Sequence, residues 1–370
     1  MNKIKQKIST RQAAILIVYT VVGDMILIIP GILANLAKQD AWVSALAGIP
    51  AGIILLWMFF YLSCLFPGLS LVGICRRVFG KWLGNLVSAW YMFFFACSTA
   101  VYIREIGDFI TVQILRDTPI RAVHLLFVFL LLYGFRKGLE PIARTAELLF
   151  FLFILGLISM VVLGIQNIDF ANLKPVLQEG LLPVIHGSLF MMLYPFGELC
   201  VFLMIFPYVR QQSHTRRDLL LGGLLGGLLV ASYVVDCLLI LGAFFTSYQH
   251  FPSYVLAQKI NIGNFLERIE VVLAINWILA VFLKGTLYFF AFVKGMGELT
   301  KTRRPNSLAV PAAFLIFGLS YIIAPNMMYY TAFIPKFYIY WDFTNGVLLP
   351  LLLLLVALIR TKVKPEPQIS

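Results

Sequence analysis

The feature that most constrains this chain is a series of apolar blocks, each long enough to cross a bilayer, separated by short segments that collect the charges. A helical crossing needs roughly 20 residues. Lipid offers no partner for open backbone N–H and C=O groups, so only helices or closed barrels can span it. The alternating apolar and polar pattern of a barrel strand does not occur in this sequence, which leaves helices. Composition agrees: 61% of residues are hydrophobic and 12% charged, where a soluble domain carries about a quarter charged residues.

The blocks predict an all-α polytopic membrane protein of about ten transmembrane helices, near residues 12–36, 43–65, 83–112, 122–135, 145–165, 184–208, 218–245, 266–293, 308–324 and 343–360. The fourth is short and crowded at its ends by Arg121, His124, Arg136 and Lys137. Orientation follows from the basic residues. With the N-terminus inside, the inner segments hold Lys3, Lys5, Lys7 and Arg11; Arg76, Arg77 and Lys81; Arg136, Lys137 and Arg144; Arg210, Arg216 and Arg217; Lys294, Lys301, Arg303 and Arg304; and Arg360, Lys362 and Lys364. The outer segments hold only Lys38, Arg116, Arg121, Lys174, Lys259, Arg268 and Lys336. Twenty against seven of the 29 basic residues is a positive-inside signal and puts both termini in the cytoplasm. The net charge of +12 is therefore read as topology and lipid contact, not as a nucleic-acid site. Residues 252–260 are expected to form a short helix lying on the outer face. Gly222, Gly223, Gly226 and Gly227 in the seventh span form two overlapping G-x-x-x-G pairs, which favour close helix packing.

Two spans carry interruptions at the same depth. The first has Gly23-Asp24 about eleven residues in; the sixth has Tyr194-Pro195-Phe196-Gly197-Glu198 at a similar distance. Proline removes a backbone donor and glycine weakens a helix, so each site frees backbone groups in mid-membrane and sets a carboxylate beside them. Spans one and six are equivalent in a five-plus-five arrangement, and an odd repeat unit forces the second half to be inverted. The chain then reads as one domain over 1–370, with repeats at 1–165 and 184–360. Broken helices at corresponding positions are the pointer to a transporter-type binding site.

A mid-membrane charge costs at least ~2.5–3.5 kcal/mol unless it is paired or wet. Lys284 in span eight is expected to neutralise Asp24 or Glu198. In span three, Arg104 and Asp108 are four apart and can pair, with Glu105 beside them near the outer end. Cys97, Ser98 and Tyr102 lie deeper and are candidates to line a pocket. Asp236 has no partner visible in the sequence. The five cysteines and four histidines show no metal-ligand or disulfide spacing. No phosphate loop, nucleophile elbow or catalytic carboxylate motif is present, so neither an enzyme nor a cofactor is expected.

Several strings, taken in order, resemble a known family: Ile8-Ser9-Thr10-Arg11-Gln12, Gly23-Asp24, Arg104-Glu105-Ile106-Gly107-Asp108-Phe109, Leu173-Lys174-Pro175-Val176-Leu177, Tyr194-Pro195-Phe196-Gly197-Glu198 and Phe265-Leu266-Glu267-Arg268-Ile269-Glu270. The sequence resembles the B subunit of endospore germinant receptors, a branch of the amino acid/polyamine/organocation transporter superfamily. The resemblance implies a transporter-like fold in the inner membrane of a dormant spore. It also implies a complex with a larger A subunit and a lipid-anchored C subunit, and recognition of a small nutrient, often an amino acid. Mapped onto this chain, the ligand site falls at Gly23, Asp24 and residues Tyr194, Pro195, Phe196, Gly197 and Glu198, with inward faces of spans three and eight. An amino acid permease with the same site is the alternative reading.

Overall fold

The computed structural model describes residues 7–260, 268–302 and 304–363. Lys3, Lys5, Arg303 and Lys364 of the charge count, and the Phe265-Leu266-Glu267 string that opens the expected eighth span, lie outside the described residues. Among the described residues the chain is helical, and the one β feature is an isolated bridge between Ile8 and Val209.

The helices are α1 (Thr10–Val22), α2 (Met25–Ala37), α3 (Ala41–Leu65), α4 (Leu71–Phe79), α5 (Lys81–Phe109), α6 (Ile120–Lys137), α7 (Leu139–Gly164) and α8 (Leu181–Met192). They continue as α9 (Phe202–Ile205), α10 (Thr215–Leu241), α11 (Ala243–Tyr248), α12 (Pro252–Lys259), α13 (Glu270–Leu299), α14 (Ala309–Ile322), α15 (Met327–Asp342) and α16 (Leu349–Val363). Eight helical runs among the described residues are long and apolar enough to cross a membrane. Outside these eight runs, α1 is apolar but short, and α6 carries Arg121, Arg136 and Lys137.

The first span is split. Helices α1 and α2 have 13 residues each, about 20 Å apiece at 1.5 Å per residue, so neither alone covers a ~30 Å hydrocarbon core. Helix α1 starts at a capping box: Ser9 Oγ accepts from Gln12 N–H at 3.1 Å, and Gln12 Oε1 accepts from Ser9 N–H at 3.0 Å. Ile8 N–H donates to Tyr208 O at 2.9 Å and Arg210 N–H to Ile8 O at 3.0 Å. The start of the split helix is thereby pinned to the segment that follows α9.

The sixth span is interrupted differently. After α8 the chain takes a π turn at Leu193–Gly197, then a 3-10 turn at Glu198–Val201, before α9. Pro195 has no N–H to donate one turn back, so the backbone widens there and tightens again after it. The expected break is thus a change of helical pitch in a chain that stays helical.

The structure adds one element and shifts two expectations. The connection after α3 contains the amphipathic helix α4. Helix α12 does form but does not lie on the surface: Ser253 is buried and its Oγ donates to Ile26 O at 2.6 Å, tucking α12 against α2. The last span does not start at residue 343. The chain is helical from Met327 onward, through a π turn at Phe343–Leu348 into α16, so Lys336 sits on a helix and not in an outer loop. The reason is Asn326, whose side chain caps Tyr329 N–H at 2.8 Å and starts α15 well before the apolar run.

Candidate functional site

Both interruptions face one side of α13. Trp277, Lys284 and Tyr288 are seven and four residues apart, which stacks them on one helix face. Trp277 Nε1 reaches the carbonyl of Asp24 at 3.4 Å, and Tyr288 Oη donates to the carbonyl of Glu198 at 2.6 Å. Each is a carbonyl at a disturbed turn. Between them Lys284 Nζ, fully buried, pairs with Asp24 Oδ1 at 2.5 Å and with Glu198 Oε2. Sequence reasoning offered two partners for Lys284, and the structure gives it both. Its ammonium also lies 4.9 Å from the Tyr102 ring centre, a cation–π contact. Glycine at position 23 follows from this packing, since a Cβ there would come within 2.8 Å of Lys284 Cδ.

Two further stripes close the site. On α5, Tyr91, Ser98, Tyr102 and Glu105 recur at helical spacing; on α15 and the π turn after it, Tyr330, Tyr338, Asp342 and Asn345 do the same. Tyr102 Oη donates to Glu198 Oε1 at 2.8 Å. Tyr338 Oη lies 3.3 Å from the same oxygen and 3.2 Å from Ser98 Oγ. Tyr330 Oη donates to Glu105 Oε1. Tyr91 Oη donates to Asn345 O at 3.0 Å. Glu198 is held by an ammonium and two phenols, the kind of compensation that makes a buried charge tolerable. Arg104 Nε bonds Asp108 Oδ2 at 2.8 Å, and its Nη1 reaches Ala324 O, so this pair fastens α5 to the end of α14.

A cavity of about 620 Å³ opens at the end of the bundle that the charge count assigns to the outside. Its lining includes Gly31 and Asn35 of α2, Glu105 and Asp108 of α5, the segment Ser247 to Phe251, and Tyr330 and Lys336 of α15. The volume suits a small solute. Glu105 with its Tyr330 partner belongs both to this lining and to the α5 and α15 stripes that lead inward to the Lys284 pair.

The other sequence-selected residues have separate places. Tyr194 is buried and stacks on Tyr338, with ring centres 5.7 Å apart, and on Phe190 at 5.5 Å. Pro195 sets the π turn. Phe196 points into packing: a Cβ added at Gly52 or Gly227 would strike its ring, at 2.2 and 2.9 Å. Gly197 crosses Gly346 backbone to backbone, since a Cβ on Gly346 would lie 2.7 Å from Gly197 Cα. Cys97 is half-buried and no hydrogen bond ties it to the Lys284 trio. Helix α10 carries both glycine rows. Gly222 and Gly226 admit α1, where Cβ atoms would meet Ala14 O at 2.7 Å and Val21 at 2.9 Å, while Gly223 admits Leu56 of α3, at 2.7 Å, and Gly227 admits Phe196. Asp342 and Asn345 are functional-site residues that the sequence does not single out: Asp342 falls one residue before the apolar run at 343–360, and Asn345 is a lone amide inside it. Their signal was the 330, 338, 342, 345 spacing.

Comparisons with known proteins fit this architecture. The family model described as "Spore germination protein" matches residues 7–328. Spore germination protein KB of Bacillus subtilis (strain 168) is 33% identical over 364 residues, covering 97% of this chain and 96% of its own length. Spore germination protein A2 of the same organism is 25% identical, covering 96% of this chain and 97% of its own. Spore germination protein XB of Bacillus anthracis is 23% identical, covering 80% and 82%. Among solved structures, a mutant manganese transporter of Eremococcus coleocola superposes with a TM-score of 0.58 at 13% identity, over 85% of this chain and 69% of that one. At that identity the likeness speaks to fold alone, a multi-pass helical transporter fold. Family model and near full-length relatives together decide the matter: the chain belongs to the spore germination protein family, the germinant receptor B subunits that its sequence strings resemble.

Proposed function

We propose that this chain is the nutrient-sensing subunit of a spore germinant receptor. A small molecule such as an amino acid enters the outward cavity, and its binding changes how the two disturbed helices are tied together. The observation that carries this reading is the position of Lys284: one buried ammonium on a continuous helix joins Asp24 at the α1–α2 break to Glu198 at the pitch change. A solute that contacts Glu105 and the α5 and α15 stripes acts on the same stripes that hold Glu198. Only different affinity for two arrangements of this core can transmit a signal.

The setting that goes with this reading has ten crossings, with α1 plus α2 as the first and α6 as the fourth. The two halves are related as an inverted repeat, and both termini face the cytoplasm of the spore inner membrane. A-type and lipid-anchored C-type subunits complete the complex. The family is receptor- and permease-like, and the proposal contains no catalytic step.

The test is a germination screen of spores carrying this receptor alone, against single amino acids, sugars and nucleosides. Response to one chemical class, lost in Gly23→Ala or Gly197→Ala with receptor assembly intact, supports the reading. Response to none of them, or loss of assembly in both variants, removes it. Flux of a labelled nutrient through liposomes carrying only this chain would replace the sensor with a permease.

A further inference from the structure

Asp342 is a buried carboxylate that the site described so far does not use. It is the last residue of α15, where the chain passes into its π turn, and it is 0% exposed. Neither of its carboxylate oxygens has a hydrogen-bond partner among the described residues. Asn345, three residues on along the same face and also 0% exposed, spends its Nδ2 on Trp341 O at 2.8 Å and leaves its own Oδ1 without a donor. Three buried acceptor atoms therefore sit on one helical face, and no donor among the described residues serves them.

Among the described residues, the charged groups around Asp342 include one cation, Lys284, which is already committed to two other carboxylates. From the turns at 193–201 come Tyr194, Glu198 and Cys200; from α13 come Tyr288 and Lys284; from α15 comes Tyr338; and Asp24 lies beyond. Tyr91 of α5 reaches the Asn345 carbonyl. Lys284 already stands between two carboxylates, so the trio carries one positive against two negative charges. Arg104 is committed to Asp108 and Ala324 O. An ionised Asp342 would add a further unpaired negative charge to a dry core, where each bare ion costs several kcal/mol. A metal ion would need a shell of oxygens and room to hold it. Here the backbones of Gly197 and Gly346 are already packed together next to the Asp342 backbone carbonyl.

We propose that Asp342 is a proton-binding site, separate from the Lys284 trio, in which a proton taken from water turns the carboxyl group into a donor for Asn345 Oδ1. One proton removes the charge and provides a donor to the Asn345 oxygen that lacks one. It needs no volume, which suits the tight glycine crossing. The carboxyl group is closed off from water in this arrangement, so any rearrangement that exposes it to water is linked to proton release. One linked proton shifts such an equilibrium tenfold for each pH unit.

The experiment is infrared spectroscopy of the purified full chain at neutral pH, with carboxyl-¹³C aspartate incorporated. The expected result is a carboxylic-acid C=O band that moves with the label and shifts downward in D2O. It is lost in Asp342→Asn, kept in Asp236→Asn, and indifferent to replacing sodium with N-methylglucamine. Absence of any labelled acid band overturns the proposal, and so does a band that disappears in Asp236→Asn instead. A band that appears only after sodium is withdrawn also overturns it, because a sodium ion would then hold the site. If Asp342→Asn does not fold, Asp342→Glu takes its place: the acid band must then leave the aspartate-labelled set, and its persistence there refutes the assignment.

Discussion

Replacing Lys284 with methionine removes one ammonium and keeps most of the side-chain volume. Lys284 and Glu198 are fully buried and Asp24 nearly so, and the ammonium contacts both carboxylates. Breaking a buried ion pair by deleting one partner costs about 3–5 kcal/mol, because the remaining charge stays desolvated. Here two carboxylates are stranded, and Glu198 alone keeps the phenols of Tyr102 and Tyr338. The expected loss for Lys284→Met is therefore at the upper end of that range, about a few thousandfold in the folded-to-unfolded ratio at ~1.4 kcal/mol per tenfold. The triple variant Lys284→Met, Asp24→Asn, Glu198→Gln has no stranded charge and should recover most of the loss, since neutral replacement of a buried ionic cluster is often near-neutral. Unfolding of the purified protein in detergent, followed by Trp fluorescence with Trp277 against the Asp24 carbonyl as local reporter, measures both. A single variant within ~0.5 kcal/mol of the parent, below any buried-pair value, would refute the reasoning. A triple variant no more stable than the single would do the same.

Other outcomes follow from the same contacts. Gly346→Ala drives a Cβ to 2.7 Å from Gly197 Cα, a backbone clash that no rotamer relieves, and should cost about 1–3 kcal/mol. Gly318→Ala on α14, with nothing within 4 Å of the new carbon, should be neutral or gain up to ~1 kcal/mol in the same unfolding assay. Arg104→Ala leaves Asp108 and the Ala324 carbonyl without their donor and should cost about 3 kcal/mol, with partial recovery on adding Asp108→Asn. Tyr330→Phe takes the hydroxyl from Oε1 of Glu105, whose Oε2 has no hydrogen-bond partner among the described residues. It should alter the nutrient concentration needed for germination while leaving protein abundance in spores unchanged.

Much of this molecule can be read before it is folded, and the limits have physical causes. Apolar block length and basic-residue asymmetry find most helices, because lipid imposes one rule on every crossing. Glycine and proline find both interruptions for the same reason. Pairing Lys284 with acids from spans one and six needs only the cost of a lone charge. What sequence cannot give is rotation. Phe196 sits in the right string yet turns away onto Gly52 and α10, and Cys97 lies one residue from Ser98 but outside the network. Asp342 lies just outside the last apolar run: α15 begins in polar and aromatic sequence that hydropathy does not mark, and its start depends on a local cap at Asn326.

Helix α10 has a mechanical consequence. Its adjacent glycine rows present a nearly smooth surface to α1 on one side and to the Phe196 ring on the other. A surface without side chains lets α1 and the Phe196 ring lie close against one helix. The segments before α1 and after α9 are tied together as well, by the Ile8–Val209 bridge. A bulky residue placed on this shared face would therefore press on both partners at once, so one substitution there tests two contacts.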